Sequence, residues 1–273
     1  MTTVASKGAE LFTTTQGRGP ACLWLTAIGS GPYELQAPKP LLDHLQLTFV
    51  ELRGSGRSTG AAADLTFDLL AEDLEAVRRS LGAEKVLVLG HSILGMPAIE
   101  YARRCPGSVS GAVTAGTPPH GDMAKLVEQA KAFFCEDASE ERRRIQQEAL
   151  ARVPPGSPPG AVLMAQTPSR FHDPNTDAAP LYATASPRPE LTQHLLTRLS
   201  PAWEVTGGPG LQVPLLLTHG RSDYIVPHTL WAPVLPKLPT ATFRLFEKSG
   251  HQPFFEEPEA FTRAVVEWMK GLR

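Results

Sequence analysis

The sequence predicts an α/β fold: a mostly parallel central sheet with helices on both faces and an inserted helical lid. Along most of the 273 residues, short apolar strands alternate with amphipathic helical stretches, an order typical of a parallel sheet. This alternation stops between residues 119 and 205, where helices and Pro-rich turns follow one another without strands. We therefore predict a core of residues 1–118 and 206–273 and a helical lid of residues 119–205.

The elements of the predicted core follow in chain order. Strands are expected where a short apolar or alternating run ends at Gly, Pro or a polar residue: residues 10–16, 21–27, 47–52, 86–89 and 109–115, one run before Gly220 and one before Gly250. Helices are expected where apolar residues recur with a period of 3.6: residues 35–45, 66–81, 93–104 and from Pro258 onward.

The predicted lid is built differently. Helical patterns cover residues 123–134, 138–153 and about 190–198. Pro and Gly mark a loop at residues 154–160, and further turns are expected at residues 173–175 and 186–189. An insertion of this size before a late sheet strand is typical of a lid that selects the substrate.

Composition restricts the class of partner. The net charge is −2, with charges of mixed sign and no basic run, so a nucleic-acid surface is not expected. No apolar stretch reaches eighteen residues, which argues against a membrane span. The first residues lack a basic start followed by an apolar run, and we expect a cytoplasmic protein acting on a small molecule. The oligomeric state is left open.

Cysteine and histidine spacing does not indicate a metal site. Cys22, Cys105 and Cys135 have neither Cys-x-x-Cys nor metal-ligand spacing and are interpreted as unpaired thiols. The histidines outside the candidate site also lack ligand-like spacing: His120, His172 and His194. We predict no metal and no cofactor.

Ser92 stands where a predicted strand meets a helix. The apolar run 86–89 is followed by Gly90, His91 and Ser92, and then by the helical pattern 93–104. A tight turn there would expose the Ser92 hydroxyl and bring the Ile93 N–H beside it, ready to bind an oxyanion. On its own, such a serine is more often a helix cap than a nucleophile.

Two other residues, both much later in the chain, support a catalytic role for Ser92. A serine hydroxyl needs a base that is oriented by a carboxylate. Asp223 lies just beyond the strand that ends at Gly220, and His251 follows the strand that ends at Gly250. All three residues therefore fall at carboxyl ends of strands, where ligands of parallel sheets bind.

These segments resemble the α/β hydrolases, in particular the family of prolyl aminopeptidases and related esterases. The order Ser92, Asp223, His251 is the nucleophile, acid and base order of that fold. Residues 51–58 (ELRGSGRS) resemble the family's Asp-x-Arg-Gly-x-Gly-x-Ser loop, and residues 220–227 its acid loop. Ser249-Gly-His-x-Pro with the following Glu-Glu-Pro resembles its histidine loop. The resemblance implies the fold and a Ser-His-Asp mechanism.

The sequence departs from the family pattern at three places. The usual His-Gly-Gly-Pro-Gly loop is replaced by residues 25–32 (LTAIGSGP). That loop supplies the second oxyanion N–H in the family, so Ile28 is the predicted donor and Gly29 the alternative. Leu94 stands where a small residue usually closes the nucleophile turn, and Glu51 replaces the family's Asp in the arginine loop. Arg53 in that loop is expected to bond backbone carbonyls rather than substrate.

The residues that contact the substrate are open. His91, Phe134 and Trp203 are candidates; packing inside the lid is the competing interpretation for most of its large apolar residues: Phe133, Phe134, Met164, Phe171, Tyr182 and Trp203. A carboxylate that holds a substrate ammonium could come from five residues, although a solvated helix face is the preferred interpretation: Glu136, Asp137, Glu140, Glu141 and Glu204.

Three functions remain open at this point. The first choice is hydrolysis of a small carboxylic ester or lactone by Ser92, with His251 as base and Asp223 orienting it. The second is release of N-terminal proline from peptides, which the motifs favour and the missing His-Gly-Gly-Pro-Gly loop does not. The third is a ligand-binding protein that keeps the fold without catalysis.

Overall fold

One sheet of eight strands forms the centre of the computed structural model, which describes residues 1–157 and 159–272. The strands are β1 (Thr2–Ser6), β2 (Ala9–Gly17), β3 (Ala21–Thr26), β4 (Gln46–Glu51), β5 (Val86–His91), β6 (Val109–Ala115), β7 (Leu215–Gly220) and β8 (Ala241–Phe246). Across the sheet their order is β1, β2, β4, β3, β5, β6, β7, β8. β2 is antiparallel to β1 and β4, and all other neighbours are parallel. The predicted mostly parallel sheet is confirmed.

Ten α-helices accompany the sheet in this part of the chain: α1 (Gly31–Gln36), α2 (Phe67–Ser80), α3 (Gly95–Arg104), α4 (Met123–Asp137), α5 (Glu140–Ala151), α6 (Pro159–Ala165), α7 (Thr167–Arg170), α8 (Pro189–His194), α9 (Pro253–Glu256) and α10 (Pro258–Met269). No helix of residues 1–157 and 159–272 is long and apolar enough to cross a membrane.

The central strands are buried on both faces because alternate side chains enter two different cores. In β3, Leu23 and Leu25 pack with α2 and α3 on one face, whereas Trp24 packs with α10 on the other. In β5, Val88 belongs to the first core and Leu89 to the second. Helices therefore cover both faces, as the sequence predicts.

The chain changes direction across the sheet at β3. From β3 it moves to β4 on one side, and it then crosses to β5 on the other side. In open parallel sheets, such a reversal leaves a crevice at the carboxyl ends of the two strands. Ser92 follows directly after β5 and so lies at this crevice.

The segment 119–205 connects β6 to β7 and contains α4 to α8. Its two ends lie side by side, because the Gly121 N–H donates to the Trp203 carbonyl (2.8 Å) and the Val205 N–H to the Pro119 carbonyl (2.9 Å). Trp203 and Val205 belong to the first core. A small separate cluster of Phe171, Ala178 and Leu181 lies inside the segment.

Three elements differ from the prediction. The helix predicted at residues 35–45 is replaced by α1 and a 3₁₀ turn, Lys39–Asp43, because Pro38 and Pro40 cannot donate N–H bonds in a helix interior. β1 was not predicted, and it pairs with β2 through a turn in which Gly8 has φ +76°. Of the loop expected at residues 154–160, Pro158 lies outside the described residues and α6 begins at Pro159.

Candidate active site

Ser92 lies on a strained turn between β5 and α3. Its φ of +56° is in the left-handed region, which non-glycine residues rarely adopt. The turn closes tightly because Gly90 lacks a side chain: a Cβ there would lie 2.2 Å from the Leu94 carbonyl oxygen. Leu94 itself is buried in the first core. The large residue at this position is therefore accommodated, and Ser92 lines a cavity beyond the end of β5.

Asp223 lies beyond β7 and is fully buried. Its Oδ1 accepts the N–H groups of Ile225 (2.9 Å) and Val226 (2.8 Å). Its Oδ2 lies 2.8 Å from Nδ1 of His251. Both carboxylate oxygens therefore have partners, and the orientation of the carboxylate is fixed.

His251 is oriented by its ring and by its backbone. The Nδ1–H donates to Asp223, and the His251 N–H donates to the Arg170 carbonyl oxygen at 2.5 Å. Nε2 makes no hydrogen bond with any described residue, so it makes none with the Ser92 hydroxyl. With Nδ1 protonated, Nε2 carries a lone pair and can accept a proton. Hydrogen bonds of catalytic pairs often form only once a ligand is bound, so the missing bond does not exclude Ser92 as the partner of this nitrogen.

His91 lies beside His251 and does not line the cavity that opens at Ser92. Its Nε2 donates to the His251 carbonyl oxygen (3.0 Å), and the Tyr33 hydroxyl lies 3.2 Å from Nδ1. Burial, followed by the nearby His251, holds the pKa of His91 well below its ordinary value. A neutral imidazole with a proton on Nε2 fits both contacts. His91 thus supports the backbone of His251, and its role as a substrate contact stays a prediction.

Gly116 is a functional position that the sequence analysis missed. It follows β6 with φ +56°, and a Cβ there would lie 2.8 Å from His251 Nδ1 and 2.9 Å from the His251 carbonyl oxygen. Only glycine allows the His251 ring to approach this backbone. A glycine directly after a predicted strand of the parallel sheet was the available signal.

Residues 169–172 support the loops of Asp223 and His251, a contact that the sequence analysis did not predict. The carbonyl oxygen of Ser169 accepts the N–H of Tyr224, the residue after Asp223 (3.0 Å), and the carbonyl oxygen of Arg170 accepts the N–H of His251. The His172 ring contacts the Ser222 hydroxyl at 3.1 Å. This stretch of the segment 119–205 therefore ties the acid loop to the histidine loop, a contact that sequence spacing does not reveal.

Glu256 joins the same two segments. Its Oε1 accepts the N–H groups of Gly250 (2.8 Å) and Gln252 (3.3 Å), on either side of His251. Its Oε2 accepts the His172 N–H at 2.6 Å. Burial raises the pKa of Glu256 to about 7, against the lowering effect of these three N–H donors.

This raised pKa predicts a pH-dependent stability. Folded Glu256 binds its proton more tightly than the unfolded chain does, so its contribution to the free energy of unfolding is complete below the ordinary pKa of 4.5 and is lost as the pH rises through about 7. Glu256→Gln removes the titrating group. We expect the free energy of unfolding of the natural protein, minus that of the variant, to fall by about 1–3 kcal/mol between pH 4.5 and 8.

Urea unfolding at several pH values measures this difference. The slope with pH carries the prediction, because the variant also loses hydrogen-bond acceptors and is expected to be less stable at every pH. A difference that stays constant across this pH range contradicts the raised pKa.

A cavity of about 510 Å³ opens at Ser92. Ser92, Ile93 and Phe134 line it, so Phe134 stays a candidate contact. The other lining residues are mostly apolar: Pro118, Met123, Leu126, Val127, Ala130, Lys131, Gln146, Leu150, Gln166, Ser169, Leu196, Tyr224, Ile225 and Val226. Within the described chain, no carboxylate lines this cavity, and Lys131 is its one charged side chain.

Trp203, the third candidate contact, does not line the cavity at Ser92. It lines a separate cavity of about 470 Å³ together with Glu204, and its Nε1–H donates to a Glu100 carboxylate oxygen at 2.9 Å. Phe171 packs in the small cluster with Met164 and Tyr182, as the competing interpretation expected.

The loop after β3 is held by Glu51, which is fully buried. Its Oε1 accepts the Ser30 N–H (2.9 Å), and its Oε2 accepts the Arg57 N–H (2.5 Å). The N–H groups of Ile28 and Gly29 make no hydrogen bond within the described residues. The longer Glu51 thus fixes the loop that carries both candidate donors.

Arg53 and the three cysteines, which the sequence analysis also considered, make structural contacts or stay unpaired. Arg53 pairs with Asp73 through two hydrogen bonds and also donates to the carbonyls of Ser6 and Lys7. All three cysteines are unpaired, and burial raises the pKa of Cys22 to about 12. The described residues contain no group of three His, Cys, Asp or Glu side chains that could hold a metal ion.

Comparisons with known proteins agree with this architecture. The family described as alpha/beta hydrolase fold matches residues 25–258. The AB hydrolase superfamily protein YclE of Bacillus subtilis is 29% identical, over 97% of this chain and 96% of its own. A pimeloyl-[acyl-carrier protein] methyl ester esterase of Sodalis glossinidius is 31% identical, over 84% of each chain. The crystal structure of a proline iminopeptidase of Mycobacterium smegmatis has a TM-score of 0.74 at 21% identity, covering 98% of this chain and 97% of that one; this likeness concerns the fold.

Proposed function

This chain belongs to the α/β-hydrolase fold family, and from that membership we propose that it is a serine hydrolase that cleaves a small carboxylic ester or lactone. The observation that carries the proposal is the position of Ser92, on a strained turn at an apolar cavity that no described carboxylate lines. Esterase-named proteins are among its relatives.

In the proposed reaction, Ser92 attacks the ester carbonyl while its proton moves to Nε2 of His251. Asp223 stabilises the imidazolium through Nδ1. The tetrahedral intermediate collapses, the proton passes to the departing alcohol oxygen, and an acyl-Ser92 ester remains. Water then attacks this ester with His251 again as base, so the acid leaves and Ser92 regains its proton.

The negative oxygen of the intermediate needs two donors. The Ile93 N–H follows Ser92 directly, and the N–H groups of Ile28 and Gly29 on the loop held by Glu51 are the candidates for the second. We propose Ile93 and Ile28 for these roles, with Gly29 as the alternative. Each such donor contributes about 10²–10³ in turnover rate in comparable sites.

Ester cleavage is preferred over prolyl aminopeptidase activity because of the charged side chains that line the cavity at Ser92. An aminopeptidase of this kind must hold the substrate ammonium, which requires a carboxylate or comparable acceptor near the scissile bond. The cavity at Ser92 offers a lysine, Lys131, and within the described residues no carboxylate. The resemblance to the proline iminopeptidase supports a shared fold.

Initial rates on a p-nitrophenyl ester of a short acid and on proline p-nitroanilide test the proposal. We expect ester cleavage that depends on Ser92 and no measurable anilide cleavage. Strong anilide cleavage would replace the proposal with the aminopeptidase. Neither reaction, together with no labelling of Ser92 by a fluorophosphonate, would favour the ligand-binding function.

The position of Gly116 gives a prediction for this activity. Gly116→Ala forces an alanine to φ +56° and brings its Cβ within 3 Å of the His251 ring. Because the ring must move, we expect kcat/KM for the ester to fall by about 10²-fold, the typical cost of displacing a catalytic group.

Gly82→Ala is the matched control. Gly82 has φ +65°, and a Cβ there meets no atom within 4 Å, so the variant carries similar backbone strain of about 1–2 kcal/mol without touching His251. Thermal unfolding should show both variants destabilised and only Gly116→Ala impaired in kcat/KM. Equal activity in the two variants would refute the proposed crowding.

A further inference from the structure

Residues 181–188, which we call the clamp segment, lie against the loop after β3. From position 183 to position 188 these residues are exposed or half-buried, so burial of apolar side chains does not account for their place. The packing is nevertheless close: a Cβ on Gly31 would lie 3.0 Å from the Thr184 Cβ. We call residues 27–30, which carry both candidate oxyanion donors, the donor loop.

The direct contact between the two segments is a backbone hydrogen bond. The Ser186 N–H donates to the Ile28 carbonyl oxygen at 2.7 Å. This carbonyl and the Gly29 N–H belong to one planar trans peptide unit, and they point in opposite directions. Fixing the carbonyl therefore fixes the direction of one candidate donor and anchors the residue that carries the other.

Gly29 makes this contact important. Its φ is +82°, and a glycine has no side chain to oppose a flip of the peptide before it. After such a flip, the Ile28 carbonyl would stand where the Gly29 N–H now points. A carbonyl dipole in that direction repels an oxyanion, whereas an N–H group stabilises it. The bond from Ser186 opposes this flip.

Arg188 supports the donor loop through a neighbouring loop. Its Nη2 donates to the Gly56 carbonyl oxygen at 2.8 Å. Gly56 packs on the donor loop, since a Cβ there would lie 3.2 Å from the Gly29 Cα, and it also packs on the Glu51 carboxylate. That carboxylate accepts the Ser30 N–H. Arg188 therefore holds the backbone on which the donor loop rests.

The clamp segment also contacts the histidine loop. The side-chain NH₂ of Gln252, the residue after His251, donates to the Tyr182 hydroxyl. On the other side, Gln36 of α1 donates to the Leu181 carbonyl oxygen at 3.3 Å. One exposed segment thus connects the loop of the candidate base with the loop of the candidate oxyanion donors.

We propose that the clamp segment positions the oxyanion hole, with the Ser186 N–H and the Arg188 guanidinium as its positioning groups. In this role both groups act through the donor loop and not on the substrate. The inference rests on the proposed serine hydrolase function and deepens it. An enzyme with a loosened clamp should bind its ester normally and stabilise the tetrahedral intermediate less.

Arg188→Met tests the proposal at an exposed side chain. We expect kcat for the p-nitrophenyl ester to fall about three- to tenfold, the factor that one hydrogen bond is worth, while KM changes by less than about twofold. Arg188→Lys keeps a donor and should be faster than Arg188→Met. Arg198→Met is the matched control at an exposed arginine further along the same connection, and it should keep kcat within about twofold.

Ser186→Pro tests the backbone contact, because proline has no N–H to donate to the Ile28 carbonyl oxygen. Ser186→Ala keeps this N–H. We expect kcat of the proline variant to lie about three- to tenfold below that of the alanine variant, again the factor for one hydrogen bond. Thermal unfolding checks that both variants fold, and the Arg188 variants carry the test if the proline variant does not.

A transition-state analogue separates positioning from substrate binding. A trifluoromethyl ketone adds the Ser92 oxygen to its carbonyl carbon, the Ser92 proton passes to His251, and the carbonyl oxygen becomes a tetrahedral oxyanion. In Arg188→Met, its inhibition constant should rise by the factor by which kcat/KM falls. The inhibition constant of the corresponding trifluoromethyl alcohol, which cannot form an oxyanion, should stay the same.

The failure of this inference is distinct from the failure of the proposed function. Ester cleavage that depends on Ser92 but is equally fast in Arg188→Met and Arg198→Met, and in the two Ser186 variants, overturns the clamp alone. Equal rises in the two inhibition constants also overturn it, because they show a loss of binding and not of oxyanion stabilisation. Absence of any Ser92-dependent ester cleavage in the natural protein overturns the proposed function and the clamp with it.

Discussion

Replacement of Ser92 by alanine is expected to lower kcat/KM for ester cleavage by about 10⁴-fold or more while leaving the fold intact. The size follows from the loss of the nucleophile, which in serine hydrolases costs as much as removing the whole triad. The fold should survive because alanine removes one oxygen atom and occupies the same left-handed backbone position as serine. Thermal unfolding within a few degrees of the natural protein would verify this.

Covalent labelling gives an independent measurement of the same expectation. A fluorophosphonate should add once to the natural protein, as seen by intact mass, and not to Ser92→Ala. Ser169→Ala is a suitable control, because Ser169 lines the same cavity and its hydroxyl donates to Gln146. Labelling that persists in Ser92→Ala, or that is lost only in Ser169→Ala, would contradict Ser92 as the nucleophile.

The parts that sequence predicts well are those with local signals. A buried parallel strand appears in the sequence as a short apolar run. The sequence therefore predicts β5 and β7, and with them the positions of Ser92 and Asp223 at or just beyond their carboxyl ends. The helix predicted at residues 35–45 was wrong, and the reason is also local. The apolar period there is helical, but Pro38 and Pro40 cannot donate the N–H bonds that a helix interior needs.

The supports of the site depend on contacts between distant residues, which periodicity does not encode. Gly116 matters because the His251 ring lies against it, 135 positions along the chain. Likewise, the carbonyl of Arg170 meets the His251 N–H only once the segment 119–205 has folded onto the sheet. The sequence also does not show which cavity an aromatic residue of this segment will line: Trp203 lines the cavity beside Glu204 and not the one at Ser92.

Asp223→Asn is predicted to reduce activity about as strongly as loss of the nucleophile, through the tautomer of His251. In the structure, Oδ1 of Asp223 accepts two backbone N–H groups, from Ile225 and Val226. An asparagine keeps both bonds only if its oxygen faces these donors, so its NH₂ group must face Nδ1 of His251. Nδ1 then has to accept a hydrogen bond, which places the proton on Nε2. A protonated Nε2 cannot take the proton of Ser92.

We therefore expect kcat to fall by about 10⁴-fold in Asp223→Asn, with little change in fold, because the buried amide keeps its backbone partners. Asp223→Ala separates the effect of the lost charge from that of the His251 tautomer, because it removes the carboxylate without presenting a donor to Nδ1. The asparagine variant should therefore be no more active than the alanine variant. Asp137→Asn, at an exposed carboxylate bonded to the Tyr224 hydroxyl, should retain activity within about twofold, as surface substitutions generally do. An asparagine variant at position 223 that is clearly more active than the alanine variant would show that the charge of Asp223, and not the tautomer it enforces, accounts for the loss.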